Sequence, residues 1–157
     1  MEERESFMRR AIELARHGME QGAGGPFGAV IVRDGVIVGE GWNRVVGNND
    51  PTAHGEISAI RDACARLGTF SLNNCEIHTT GQPCLMCLGA IQWARMKKIY
   101  YGFRIEDAAS LGFDDTEFFR QFALPVAERS IPAEELCRED ALVLARDYMR
   151  LPNRMHY

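Results

Sequence analysis

Residues 75–103, CEIHTTGQPCLMCLGAIQWARMKKIYYGF, contain signals for a strand, a helix and a second strand. Cys75–Thr80 is a short run rich in β-branched residues that predicts a buried strand, and Lys98–Phe103 predicts another. Pro83 favours the first turn of a helix that would continue to about Met96. Strands that alternate with helices are typical of an α/β layered domain whose strands are joined by crossovers.

The residues before this stretch predict how the sheet begins. Ala29–Arg33 and Val36–Gly39 are β-branched runs, and Asp34-Gly35 between them is a strong signal for a two-residue hairpin turn. An amphipathic helix is expected over Glu3–Glu20. A second helix is expected after Pro51 and would end at Gly68, because its apolar residues share one face, namely Ile57, Ile60, Cys64 and Leu67.

After Ile105 the pattern is weaker. A short helix is expected over Glu117–Phe122 and a longer one over Asp140–Arg150. The length of 157 residues suits one domain that spans residues 1–157.

Composition narrows the class of protein. Hydrophobic residues make up 46% of the chain and charged residues 25%, and no apolar run approaches a membrane span. The charged amino terminus lacks the apolar core of a signal peptide, so a cytoplasmic protein without membrane contact is expected. The net charge of −4, without a basic run, argues against a nucleic-acid polymer as partner. The five cysteines are odd in number, which disfavours a disulfide framework.

The residues with the clearest chemistry are a histidine and two cysteines. Cys84 and Cys87 are three positions apart on a predicted helix, so their sulfurs share one face near the amino terminus, where the helix dipole favours thiolates. His54 begins the other helix and supplies a third ligand. One His and two Cys predict a tetrahedral Zn²⁺ site with an open fourth position, which is the catalytic pattern.

A fourth protein ligand would close that site. Cys64 lies ten residues along the helix from His54, about 15 Å away, and Cys75 is expected at the far end of its strand, on the order of 15 Å from Cys84. Cys137 has no predicted position. We therefore expect the fourth position to stay open.

Glu56 adds an acid–base group. Residues at i and i+2 of a regular helix do not face each other, so His54 and Glu56 share one site only if His54 lies at or before the first turn. A carboxylate there can take a proton from a zinc-activated water and pass it to a substrate.

H-x-E followed by P-C-x-x-C is the signature of the zinc-dependent nucleobase deaminases. At these residues the chain resembles the cytidine and nucleobase deaminase superfamily, and within it the guanine deaminases of bacteria. The stretches that carry the likeness are Gly24–Gly28, Asp50–His54, Pro83–Ile91, Trp93–Arg95, Gly112–Asp115, Glu128–Pro132 and Tyr157.

The resemblance implies a three-layer α/β/α fold with a mixed five-stranded sheet, and a homodimer in which the carboxy-terminal segment covers the partner's site. It implies that Phe27 stacks on the base, Asn43 hydrogen-bonds it, and Tyr157 reaches the substrate. Asp115 would be a second proton shuttle, for the leaving ammonia. The residues alone leave other interpretations open: Phe27 in the core, Asn43 in a turn, Asp115 in a solvated loop with Asp114, and Tyr157 in a frayed tail.

The expected reaction is hydrolytic deamination of a free base, guanine to xanthine plus ammonia. Two departures from the guanine deaminase pattern concern the substrate: Gly55 stands where alanine is usual, and Gln82 where glutamate is usual. His54–Ser58 is instead similar to fungal cytosine deaminase. Cytosine, or another small aminated heterocycle of triazine or pterin type, is the alternative substrate. A non-enzymatic zinc-binding module of the same fold is the third hypothesis.

Overall fold

The computed structural model describes residues 2–157, which form two compact units divided after Thr116. The first unit contains the sheet, with strands β1 (Gly28–Arg33), β2 (Val36–Trp42), β3 (Cys75–Gly81) and β4 (Lys98–Phe103). Its helices are α1 (Glu2–Glu20), α2 (Val45–Asn48), α3 (Gly55–Leu67), α4 (Leu85–Trp93) and α5 (Ile105–Ser110). The short helices α2 and α5 were not expected from the sequence.

The sheet has the order β2-β1-β3-β4, with β1 antiparallel to both β2 and β3, and with β3 parallel to β4. The mixed α/β architecture is confirmed, but the expectation of five strands is wrong, because residues 2–157 contain four. Residues 129–137, between two helical segments, are in irregular structure and mostly exposed. They are rich in charged residues and include Pro132, a composition that disfavours a strand buried in a sheet.

The hairpin turn is confirmed at Asp34-Gly35. Both residues have left-handed backbone, with φ of 51° and 77°, as a type I′ turn requires. The register of β1 against β2 shifts between Ile31 and Val32, so a bulge lies within the hairpin.

Alternate residues of β1 face two separate layers of helix. Val30 and Val32 pack with Ala11 and Leu14 of α1. On the opposite face Ile31 belongs to a second buried cluster with residues of α3, β3 and α4, among them Ala59, Ala63, Ile77 and Ile91. The period of two along β1 therefore places the sheet between α1 on one side and α3 with α4 on the other.

Glycines let α3 lie directly on the sheet. A Cβ built on Gly41 of β2 would overlap the backbone nitrogen of Ala59, and one on Gly39 would lie 2.7 Å from the Ala59 carbonyl oxygen. This close approach fixes the height of α3 above β2. The first residues of α3 belong to the candidate site described below.

The second unit consists of residues 117–157. It contains all of α6 (Thr116–Ala123) except the first residue, a 3₁₀ turn (Val126–Glu128) and α7 (Arg138–Arg150). The Gln121 side chain accepts a hydrogen bond from the Ser130 backbone at 2.7 Å, and the Tyr148 hydroxyl donates to the Met155 carbonyl at 2.9 Å. None of residues 117–157 is buried in the single chain. Within residues 2–157, every helix is too short or too polar to cross a membrane.

His78 is a buried histidine in β3 and is 1% exposed. Its ring stacks on Tyr100 at 4.6 Å between centroids and meets the edge of Phe7 at 5.3 Å. Its Nε2 has no hydrogen-bond partner among the described residues. Burial lowers the pKa of His78, with Glu76 opposing and Arg4 reinforcing this effect.

We expect this histidine to make the fold sensitive to acid. Below about pH 6.5 the unfolded chain binds a proton at His78 that the folded chain resists, so stability falls as the pH drops toward the lowered folded pKa. The slope is at most about 1.4 kcal/mol per pH unit for one proton. Urea unfolding of the wild type and His78→Gln at several pH values measures it. Equal slopes for the two proteins between pH 7 and 5 would contradict the expectation.

Candidate active site

Two helices begin beside each other and present the candidate metal-binding side chains. His54 is the N-cap of α3, with φ −65° and ψ 159°, and Cys84 is the N-cap of α4, with φ −69° and ψ 171°. Helix α4 begins at Leu85 and ends at Trp93, so the expected helix from Pro83 to Met96 was too long at both ends. Pro83 precedes the cap, and Arg95 has a left-handed φ of 64°, which ends the helix.

The His54 Nδ1 atom faces both sulfurs. It lies 3.6 Å from Cys84 Sγ and 3.6 Å from Cys87 Sγ, and the three ligand atoms all lie within 4.8 Å of one another. A tetrahedral zinc with Zn–S of about 2.3 Å and Zn–N of about 2.0–2.1 Å would separate nitrogen from sulfur by about 3.6 Å. The cluster therefore fits a zinc ion in both ligand type and spacing.

The cluster has three ligating residues. Among residues 2–157, no further His, Cys, Asp or Glu joins the group of His54, Cys84 and Cys87. Cys64, Cys75 and Cys137 are free thiols outside it. The expected set of three protein ligands is therefore what the fold brings together.

The pKa values of the two cysteine thiols are shifted in opposite directions. The Cys87 thiol donates a hydrogen bond to the Cys84 sulfur, which together with His54 lowers the pKa of Cys84 to about 4. The same bond to Cys84, together with burial, raises the pKa of Cys87. The Cys84 thiolate in turn raises the pKa of His54. The chain thus shares one proton between its sulfurs, and a divalent cation would displace it, because thiolates are the ligating form.

Glu56 lies beside the cluster as a buried carboxyl, 4% exposed. It is the second residue of α3, and the extended cap at His54 allows both side chains to reach one site, as the sequence analysis required. Burial raises the pKa of Glu56, and the Cys84 thiolate acts in the same direction. A buried carboxylate with a raised pKa accepts a proton more readily than an exposed one.

The two adjacent aspartates differ. Asp114 Oδ1 accepts a hydrogen bond from the Thr116 backbone at 2.9 Å, and contacts with Thr116 lower the pKa of its exposed carboxyl. Burial raises the pKa of Asp115, and the Cys84 thiolate raises it further. Asp115 therefore interacts electrostatically with the metal-binding cluster, whereas Asp114 is engaged at the start of α6.

Phe27 and Asn43 are joined through the main chain. The Asn43 backbone nitrogen donates to the Phe27 carbonyl at 2.8 Å. Asn43 is 5% exposed, and its Oδ1 accepts from the Val45 backbone at 3.1 Å, so it also has the turn role considered from the sequence. The Phe27 ring contacts Phe103 and Phe113 edge-to-face, at 5.6 and 5.0 Å between centroids.

Sequence reasoning gave no role to Phe103, Phe113 or Thr80, although all three contact residues 26–28. Phe103 ends a predicted strand, and the carboxyl ends of strands commonly line sites in α/β folds. That position was the available signal. Tyr157 belongs to the second unit and is 72% exposed in the single chain.

The comparison with known proteins defines the class. Residues 1–103 match the cytidine and deoxycytidylate deaminase zinc-binding region, and the chain belongs to this family.

Within this family the chain is similar to Bacillus subtilis (strain 168) guanine deaminase, with 45% identity over 98% of both chains. An X-ray structure of the guanine deaminase from Bacillus subtilis has a TM-score of 0.93 and again covers 98% of both chains. A structure of guanine deaminase from Nitrosomonas europaea is 28% identical with a TM-score of 0.67, covering 92% of this chain and 83% of that one. A tRNA-specific adenosine deaminase from Agrobacterium fabrum is 43% identical over 65% of this chain and 66% of its own length.

We expect Cys87→Ser to lose bound zinc. The wild type should contain about one zinc ion per chain, and the substitution removes one of the sulfur ligands. Metal analysis of protein purified with limiting zinc measures the ratio. Cys64→Ser is the matched control, because Cys64 lies outside the cluster, and it should retain zinc. Full zinc content in both Cys84→Ser and Cys87→Ser would show that these sulfurs are not ligands.

Proposed function

We propose that this chain is a zinc-dependent aminohydrolase that converts guanine to xanthine and ammonia, a step of purine metabolism. The observation that carries the proposal is the cluster of His54, Cys84 and Cys87 with a buried Glu56 beside it. The likeness to a guanine deaminase over 98% of the chain supports guanine as the substrate.

The metal would be held by His54 Nδ1 and the sulfurs of Cys84 and Cys87. When bound, zinc supplies Lewis-acid activation of a water molecule near neutral pH. Free cysteines are typical of a reducing compartment, so the five free cysteines support a cytoplasmic location.

Glu56 would carry the proton for the hydrolysis. Its carboxylate takes a proton from the water that attacks the amino-bearing ring carbon, C2 of guanine, and delivers it to the adjacent ring nitrogen. The burial that raises the pKa of Glu56 also keeps bulk water from competing for this transfer. The second hydrogen of that water, now on the C2 hydroxyl, passes to the amino group, which leaves as ammonia while the C2 carbonyl forms. Asp115 would relay this second transfer, because its pKa is also raised.

Phe27 and Asn43 would hold the base. The Phe27 ring offers an aromatic face for stacking, and two further rings fix it edge-to-face. Asn43 Oδ1 is already engaged by Val45, so its side-chain nitrogen is the donor that would contact an acceptor on the base.

The share of the chain that each relative matches favours a free base over RNA. The likeness to the guanine deaminase covers 98% of this chain, whereas the likeness to the tRNA deaminase covers 65%. The net charge of −4 also disfavours a polynucleotide. A non-enzymatic zinc module would have no need of a desolvated carboxyl such as Glu56.

We expect Glu56→Gln to lose turnover and keep zinc. Removal of a positioned proton carrier should lower kcat by about 10²- to 10⁴-fold, whereas the three metal ligands remain. Ammonia release from guanine, cytosine, adenine, nucleosides, triazines and pterins measures the activity, and metal analysis measures the zinc. Glu106→Gln is the matched control, since Glu106 is the second residue of α5 and is exposed.

Two results would overturn this proposal. Zinc-replete wild type that releases no ammonia from any of these compounds would exclude the enzyme. Release from cytosine or another heterocycle but not from guanine would keep the reaction and replace the substrate.

We further propose a homodimer in which residues 117–157 cover the partner's site and bring Tyr157 to the substrate. These residues have no buried side chain in the single chain, and large apolar side chains such as Ile131, Leu136 and Leu144 are 81%, 81% and 72% exposed. Apolar exposure of this extent favours burial against a partner. The single domain of residues 1–157 would then be completed by its second copy.

A mixing experiment tests this arrangement. Neither Glu56→Gln nor a chain that ends at His156 should be active alone. A refolded mixture should regain activity, because a mixed dimer has one site with Glu56 from one chain and Tyr157 from the other. Light scattering should report a dimer for the wild type. A monomer, or a mixture as inactive as its components, would contradict the proposal.

A further inference from the structure

Thr80 joins the backbone on both sides of Phe27. Its hydroxyl donates to the Pro26 carbonyl at 2.9 Å and accepts from the Gly28 backbone nitrogen at 3.1 Å. Thr80 lies in β3 and is 5% exposed. Both hydrogen bonds span more than 50 residues of sequence, and they tie the start of β1 and the residue Pro26 before it to the neighbouring strand β3.

This hydroxyl acts where the regular strand pairing stops. The ladder between β1 and β3 ends with Ala29 opposite Thr79. One residue further, the Gly28 backbone amide donates its hydrogen bond to the Thr80 hydroxyl instead of to a backbone carbonyl. The chain can therefore leave the sheet at Phe27 without an unsatisfied amide at its edge.

The Phe27 carbonyl lies against Gly55, the first residue of α3. A Cβ on Gly55 would lie 2.8 Å from this oxygen, which already accepts the Asn43 amide at 2.8 Å. Gly55 lies between His54 and Glu56, so the Phe27 backbone rests against the metal-binding end of α3. The position of the Phe27 ring relative to the cluster thus depends on main-chain contacts before and after it.

We propose that Thr80 is a positioning residue for the substrate, which sets the place of the Phe27 ring by holding Pro26 and Gly28. This inference rests on the proposed function, in which Phe27 stacks on the base. The Thr80 hydroxyl is engaged by the main chain, so its effect passes through Phe27. Stacking acts in the ground state and the transition state alike, so its loss raises KM more than it lowers kcat.

The test removes the hydroxyl and keeps the shape. Thr80→Val should raise KM for guanine roughly three- to tenfold, a part of what full loss of base stacking costs, with kcat within about twofold. Thr80→Ser keeps the hydroxyl and should restore KM. Thr69→Val is the matched control, because Thr69 makes a similar pair of bonds to Ser71, in the loop between α3 and β3. Zinc content should be the same in all of these proteins.

A second measurement separates positioning from general loss of structure. In the Glu56→Gln background, Thr80→Val should weaken guanine binding by the same three- to tenfold factor. In the Phe27→Leu background, Thr80→Val should have no further effect on KM, because the ring it positions is gone.

The outcomes distinguish this inference from the proposed function. Wild type that turns over guanine, together with an unchanged KM in Thr80→Val or an undiminished effect in Phe27→Leu, overturns the role of Thr80 alone. Wild type that does not act on guanine overturns both.

Discussion

Helices α3 and α4 begin close enough that His54 Nδ1 lies 3.6 Å from each of two sulfurs. Both helices start after a residue in extended backbone, and these two residues are themselves candidate ligands. An extended N-cap directs its side chain across the start of the helix, where the dipole favours thiolates. The site therefore depends on the first residues of α3 and α4 lying side by side, and the sheet determines the positions of both helices.

Glycine packing keeps this meeting point fixed. Gly39 and Gly41 allow α3 to rest on β2 without intervening side chains, and Gly55 lets the Phe27 carbonyl approach the first residue of the same helix. A methyl group at any of these positions would force a shift of backbone rather than of a flexible side chain. The start of α3 thus sets the positions of the metal-binding cluster, of the candidate proton carrier Glu56 and of Phe27, the residue proposed to stack on the base.

Charge in the cluster raises the proton affinity of Glu56. The lowered pKa of Cys84 places a thiolate beside a carboxyl that is already desolvated, and both effects raise the pKa of Glu56. A bound cation would offset part of this negative charge, which couples metal binding to the proton affinity of the carboxyl. The buried position of Glu56 near the His54, Cys84 and Cys87 cluster is therefore part of the proposed chemistry, as well as of the packing.

The sequence by itself determined the set of candidate metal ligands, the Asp34-Gly35 hairpin, the major helices and the need for His54 to precede the first turn of α3. These follow from local rules: ligand chemistry, turn conformation and helical period act over a few residues. Only the tertiary structure decided that the sheet has four strands and that Thr80 holds both neighbours of Phe27. Such contacts join residues far apart in sequence, and no local pattern records which strand a hydroxyl will lie beside.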